Sequence, residues 1–194
     1  MPKIVDHEQR RRELGDAVLR VVRRDGLSAA TVRAVAAEAH TSAGALRHYF
    51  ATQSELLEFA MRRVSERVRE RIANLHARSD HRERAVLAEL LPLDDQRRAE
   101  AEVWLAFVAQ SQVDPAMRQL SNETHAGLRS ICRWALDSLA TTGRLRGELD
   151  GDDEVRRLHA LLDGLVLHQV LRPEHLNGAD SLRLLAEHLA SLAP

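Results

Sequence analysis

Apolar side chains recur along most of this chain at intervals of three and four, the period of a helix buried along one face. From about Glu8 to Arg24, Leu14, Ala17, Val18, Val21 and Val22 form one stripe, with Arg10, Arg11, Arg12, Arg20, Arg23 and Arg24 largely outside it. Asp25-Gly26 stops this helix, because glycine takes the left-handed conformation that a helix end demands. Thr31 then caps a short helix with Val32, Val35 and Ala36 inward. Ala39-His40-Thr41-Ser42 breaks it, and Ser42 caps a second short helix from Ala43 to about Tyr49. Two short helices about a tight turn, preceded by a longer one, make a helix-turn-helix pattern.

Phe50-Ala51-Thr52 closes that unit. Thr52-Gln53-Ser54-Glu55 is a capping box that opens a long helix, about Gln53 to Arg78, with Leu56, Leu57, Ala60, Val64, Val68 and Ile72 as its buried rail. Five further helices follow, about Arg82–Leu91, Asp95–Gln112, Pro115–Thr141, Asp152–Leu171 and Ala179–Leu192. Pro92, Asp114-Pro115, Gly143 to Gly151, Pro173 and Gly178 punctuate them. No strand is predicted. The expected fold is all-α with about nine helices: a three-helix domain over residues 1–52, joined by the long helix to a helical bundle over 53–194. No flexible linker separates the two, so they should be mechanically coupled.

Composition agrees with this pattern and excludes several alternatives. Of 194 residues only six are aromatic, while the helix formers Leu, Ala, Arg and Glu recur throughout. The single cysteine, Cys132, rules out an intrachain disulfide and any multi-cysteine zinc site. The opening residues lack the apolar core of a signal peptide, and Arg and Glu interrupt every apolar run, so the chain is read as cytoplasmic and free of membrane spans. Net charge is −1, but through Arg71 there are 14 basic and 10 acidic side chains, against 14 and 19 in the remainder. A basic front half suits an anionic partner, although mild scatter on a charged surface would look the same.

The segment from Thr31 to Phe50 gives that charge a use. A short helix fits the major groove, where base edges display distinguishable donors and acceptors. Ala43-Gly44-Ala45 is small enough for close approach, and Arg47, His48 and Tyr49 reach out from the next turn. Thr31, Thr41 and Ser42 place hydroxyls at helix starts, suited to phosphate oxygens. Taken with Gly44-Ala45-Leu46-Arg47-His48-Tyr49-Phe50 and Leu56-Leu57, the spacing over residues 8 to 60 resembles the DNA-binding domain of the TetR family of bacterial repressors. Three positions depart from that pattern: His40 replaces a turn glycine, Arg47 a tyrosine, and Gln53 a lysine that grips phosphate. Operator sequence therefore does not transfer from relatives with tyrosine at position 47.

In the rear half, Trp104-Leu105-Ala106-Phe107 followed by Asp114-Pro115 resembles the subclass containing the choline–betaine pathway repressor. Asp163-Gly164-Leu165 is similar to the dimerising helices of the wider family. The resemblance implies a homodimer whose last two helices pair with their copies, reading a pseudo-palindromic operator of double-stranded DNA. Leu158, Leu161, Leu162, Leu165, Val166 and Val170, with Leu182, Leu185 and Leu189 on the last helix, supply the apolar surface for such an interface. It also implies a small-molecule effector of open identity, whose entry shifts the long helix and the spacing of the recognition helices.

Trp104, Phe107, Gln110, Leu128, Cys132 and Trp134 are the expected lining of an effector pocket lying against Val64 to Ile72. The tryptophans would cage a quaternary ammonium or stack on a flat apolar compound. The competing reading is a solid core in which these side chains interlock. Arg10, Arg11 and Arg12 read as a solvated face rather than a groove-reading arm, and Cys132 as a buried hydrophobe rather than a redox sensor. His159 and Asp163 lie one helical turn apart but lack a third metal ligand, and no cofactor or metal is expected. An enzyme built on His159, Asp163 and His168 lacks any nucleophile–base–orienter set. A regulator controlled by a protein partner remains the alternative if the rear half has no cavity.

Overall fold

The computed structural model describes residues 7–50, 52–75, 82–147 and 150–194, and the described residues are helices and turns. Ala51, the side chain of Gln53 and the expected helical run from residue 76 to Arg78 lie outside them. Helix α1 (His7–Asp25) ends where Gly26 takes φ 80° and returns its N–H to the Val22 carbonyl. A short 3-10 turn (Leu27–Ala29) leads to α2 (Val32–Glu38) and α3 (Ala43–Arg47). Helix α4 (Gln53–Asn74) stops at Leu75, whose backbone is extended. The rest are α5 (Arg82–Ala88), α6 (Asp95–Ser111), α7 (Arg118–Thr141), α8 (Gly151–Leu171) and α9 (Gly178–Ser191).

Side-chain caps set most of the helix starts. The Thr31, Ser42 and Thr52 hydroxyls each accept from the backbone N–H three residues on, at 3.2, 3.0 and 3.1 Å. Asp94 caps α6 in the same way. Asp150 and Asn177 cap α8 and α9, so these helices begin at Gly151 and Gly178, one residue earlier than the apolar pattern suggests. Asp114 accepts from the Ala116 N–H and caps a 3-10 turn (Pro115–Met117), which delays the start of α7 to Arg118.

The turn between α2 and α3 is a Schellman motif. The Thr41 N–H returns to the Ala36 carbonyl at 2.9 Å and the His40 N–H to Ala37 at 3.1 Å. That geometry requires a left-handed residue at His40, which has φ 51° and is the one non-glycine at positive φ among the described residues. Arg10 of α1 donates to the Ala39 carbonyl at 3.4 Å, bracing the same turn from below.

Two hydrophobic clusters organise the chain. The front cluster joins Leu14, Val18, Val21, Val35, Leu46, Phe50, Leu56 and Ala60 from α1 to α4, and includes Val103 and Phe107 of α6 with Met117 and Leu120 beyond. The rear cluster joins Leu87, Leu91, Cys132, Leu136, Leu158, Leu162, Leu165 and Leu185 from α5 to α9. Thus the cores do not divide between residues 52 and 53: α6 lies against both α1 and α4 and completes the front core. Helices α1 and α4 cross closely at Gly15, where an added Cβ would come within 3.0 Å of the Arg63 side chain.

His40 generates the first test. An L-residue in the left-handed region costs about 1–2 kcal/mol, and a glycine there adds back about 0.4–1 kcal/mol of unfolded-chain entropy. His40→Gly should therefore raise stability by up to about 1 kcal/mol and Tm by about 1–4 °C. Thermal unfolding followed by circular dichroism checks this, and a fall in Tm would contradict it.

Candidate functional site

The exposed surface of the helix-turn-helix unit is made by the caps and by α3. Thr31, Ser42, Gly44, Arg47 and His48 are exposed, while Thr41 and Ala43 are half-buried. Leu46 is completely buried and pins α3 to the front core, so its neighbour Arg47 points away from it. Tyr49 lies just past α3, half-buried against the front core, its ring 6.4 Å from that of Phe50. Gly44 would meet nothing closer than the Ser42 hydroxyl at 3.8 Å if it carried a Cβ, so this flank is open to a bulky partner.

Several arginines of α1 are held in pairs with the rest of the unit. Arg20 and Arg24 hold Glu38 of α2 at 2.7 and 2.8 Å, and their hydrogen bonds lower the Glu38 carboxyl below its usual pKa. Arg10 braces the turn, whereas Arg11 and Arg12 stay exposed. Glu38 is thereby neutralised, which leaves Arg33 and Arg47 as the cations of the segment from Thr31 to Phe50. Arg33 is an exposed residue on α2 that the sequence reasoning passed over; its place two positions after the Thr31 cap was the available signal.

A cavity of about 250 Å³ lies in the rear half, walled by α4, the end of α5, α6, α7 and α8. Met61, Val64 and Val68 of α4, Trp104 of α6 and Leu128 of α7 line it, and Glu89, Arg97, Glu100, His159 and Asp163 supply polar groups. Of the six residues expected to line a pocket, Trp104 and Leu128 do so; the other four lie elsewhere. The cavity sits beside the N-terminal half of α6, so Phe107 and Gln110 fall beyond its end, Phe107 inside the front core. Cys132 is buried in the rear core. Trp134 is half-buried at the edge of the rear core, under the Arg82 guanidinium, 5.3 Å from the ring centroid. A cage of two tryptophans is therefore not formed.

Polar chemistry concentrates at one end of that cavity. His159 Nε2 lies 3.6 Å from the Asp163 carboxylate, and its ring packs 4.7 Å from that of His125. Burial lifts the Asp163 carboxyl above its ordinary pKa against the pull of the nearby histidines, and burial likewise holds His159 below its own. No group of three metal-ligating side chains occurs among the described residues. His168 is exposed while His159 is buried, so the three polar residues of α8 do not converge.

The apolar residues assigned to a subunit interface divide sharply. Leu158, Leu162, Leu165 and Val166 of α8 and Leu185 of α9 are buried within the chain's own rear core, where they have no surface left to offer. Leu161, Leu182 and Leu189 are half-buried at its edge. The opposite face of α8 instead exposes Ala160, Leu167 and Leu171, with half-buried Gly164 between them, at spacings of four, three and four. Leu167 and Leu171 are 39% and 54% exposed, rare for large apolar side chains in this structure. Periodicity alone could not separate the two faces because both carry leucines. No described helix is long and apolar enough to cross a membrane.

Comparison with known proteins agrees across the whole length. Residues 15–60 match the bacterial regulatory proteins of the tetR family, and residues 79–194 match the C-terminal domain of BetI-type transcriptional repressors. The chain is 37% identical to the HTH-type transcriptional regulator PksA of Bacillus subtilis, covering 99% of this chain and 94% of that one. It is 33% identical to the HTH-type transcriptional regulator BetI of Burkholderia cenocepacia, covering 97% and 96%. A transcriptional regulator from Saccharomonospora viridis, solved in complex with choline, shares the fold at TM-score 0.81 and 24% identity, covering 93% of this chain and 95% of that one.

Cys132 gives this site a direct check. Burial, reinforced by the Asp163 charge, pushes its thiol up to about 12, so almost no thiolate exists near neutral pH. An aromatic disulfide reagent at pH 8 should leave the native protein unmodified for hours and titrate one thiol in denaturant. Rapid modification of the native protein would place Cys132 at an accessible surface instead.

Proposed function

The chain belongs to the TetR family of bacterial regulatory proteins, and from that premise we propose that it is a homodimeric, ligand-responsive repressor of transcription. The observation that carries the reading is α3 itself: capped by Ser42, pinned by Leu46, and presenting Gly44, Arg47 and His48 outward. Such a helix enters a major groove with its small residues closest to the bases. Arg47 then reads a base edge, for which a guanidinium matches the paired acceptors of guanine. Thr31, Thr41, Ser42, Arg33 and Tyr49 hold phosphates on either side.

Two copies are joined through the exposed faces of α8 and α9. The stripe Ala160–Gly164–Leu167–Leu171 pairs with its own copy about a two-fold axis, an isologous contact in which the small residues let the helices approach. Half-buried Leu161, Leu182 and Leu189 flank it. This arrangement keeps the interface of the last two helices while replacing its central residues.

The effector enters the cavity between α4, α6, α7 and α8. Its wall carries Glu89, Glu100, Glu123 and Asp163 against Arg69 and Arg97, with the Trp104 ring beside them. Glu123 and Asp163, which the Arg67, Arg71 and Arg97 guanidinium groups do not hold, and the aromatic face favour an organic cation. Choline in the Saccharomonospora neighbour belongs to that class. The presence of a cavity also favours ligand control over control by a protein partner.

Selection of bound sites from random duplex DNA should return an inverted repeat, with affinity falling steeply as salt rises. Arg47→Ala should relax preference at one position per half-site, by about 1–3 kcal/mol. Unchanged affinity and preference would remove Arg47 from the base-reading role.

The interface has its own pair of variants. Leu167→Arg should yield a folded monomer by light scattering and weaken operator binding, because one half-site keeps half the contacts. Leu165→Ala should stay dimeric while losing about 2–5 kcal/mol of stability, as a core truncation does. A dimeric Leu167→Arg protein would move the interface off this stripe.

A further inference from the structure

The same cavity wall contains one end of a continuous row of ion pairs. Arg63, Arg67 and Arg71 lie at successive turns of α4, on one face. Asp16 of α1 accepts from Arg63 at 2.6 Å and also meets Arg67 at 3.2 Å. Arg67 reaches on to Glu100 of α6 at 3.5 Å. Glu100 then holds Arg71 through both its oxygens, at 3.1 and 2.9 Å. Arg71 continues to Glu89 beyond α5 at 2.8 Å, and Arg97 meets that carboxylate at 3.4 Å. Glu89, Arg97 and Glu100 all line the cavity, while Asp16 belongs to the first helix of the DNA-binding unit.

We propose that Glu100 is the positioning residue through which occupancy of the cavity is communicated to the DNA-binding unit, acting through Arg67 and Asp16. This rests on the ligand-responsive reading above and specifies its route. Glu100 is only 3% exposed, so its charge is tolerated because Arg67, Arg71 and Gln96 complete its hydrogen bonds. An occupant that offers Glu100 a cation or an N–H donor withdraws the carboxylate from these arginines. Arg67 is shared between Glu100 and Asp16, so its release alters the hold of α4 on α1. The close crossing at Gly15 leaves the two helices little room to slide independently, and the change is carried to α2 and α3 as a shift of the whole unit.

A double-mutant cycle isolates the shared arginine. In the full-length protein, Asp16→Asn and Glu100→Gln should be non-additive in thermal unfolding, the pair costing less than the two singles together. Asp16→Asn with Asp137→Asn, an exposed carboxylate of α7 outside both the row and the cavity, should be additive. A second readout is one that a merely structural role would not move. Spin labels at Ala37→Cys in the two subunits, with Cys132 buried and unreactive, report the separation of the DNA-binding units.

Glu100→Gln should broaden that separation and lower operator affinity by roughly 2- to 30-fold, while Asp137→Asn changes neither. Glu89→Gln should act in the same direction as Glu100→Gln, and it serves if Glu100→Gln does not fold. An additive cycle, an unchanged label separation in the folded variant, or equal effects from Asp137→Asn would overturn the proposal. If the unsubstituted protein selects no DNA sequence, the functional reading fails, while the cycle still decides whether the row couples α6 to α1.

Discussion

The placement of α4 depends on a carboxylate buried in the wrong solvent. Glu100 has almost no access to water, and an isolated charge in that position would cost several kcal/mol. It is tolerable only while Arg71 and Arg67 remain on the facing side of α4. A buried leucine could slide against its neighbours at little cost; a carboxylate held by two guanidinium groups has few acceptable positions. Glu100 therefore sets the register of α6 on α4, and Asp16 does the same for α1 on α4.

That constraint ties the front of the chain to the rear. Phe107 and Val103 of α6 complete the core beneath the helix-turn-helix unit, and α6 also carries Trp104 and Glu100 into the cavity wall. A single helix thus packs beneath the helix-turn-helix unit at one end and lines the cavity at the other. Such a regulator needs no flexible hinge. It needs a packed element with two acceptable positions and a small energy difference between them, and shared ion pairs supply steps of that size.

The DNA-reading surface shows the complementary economy. Arg20 and Arg24 are committed to Glu38, and Arg10 to the turn, so these three arginines of α1 serve rigidity while Arg11 and Arg12 stay exposed. The exposed guanidinium groups of α2 and α3 are few, Arg33 and Arg47. The left-handed His40 belongs to the same picture: the turn's backbone hydrogen bonds and the Arg10 brace hold it in a conformation it would not choose alone.

Much of this was legible in the chain because it is local. Helix starts follow from Thr31, Ser42, Thr52 and Asp94, each of which caps a backbone N–H three residues away. The helix-turn-helix unit followed from the same short-range chemistry, and its resemblance to a known family made its role readable. What only tertiary structure decided is which face of each helix meets which neighbour. Leu165 and Leu167 stand two positions apart on α8, one sealed in the core and one exposed, and the apolar pattern gives both the same weight. Trp104 reaches the cavity and Trp134 does not, because α7 seats the second ring at the edge of the rear core beneath Arg82. Glu100 reads in sequence as one more solvent-facing glutamate. Its importance comes from arginines about thirty residues earlier in the chain, a distance over which periodicity carries no information and only packing does.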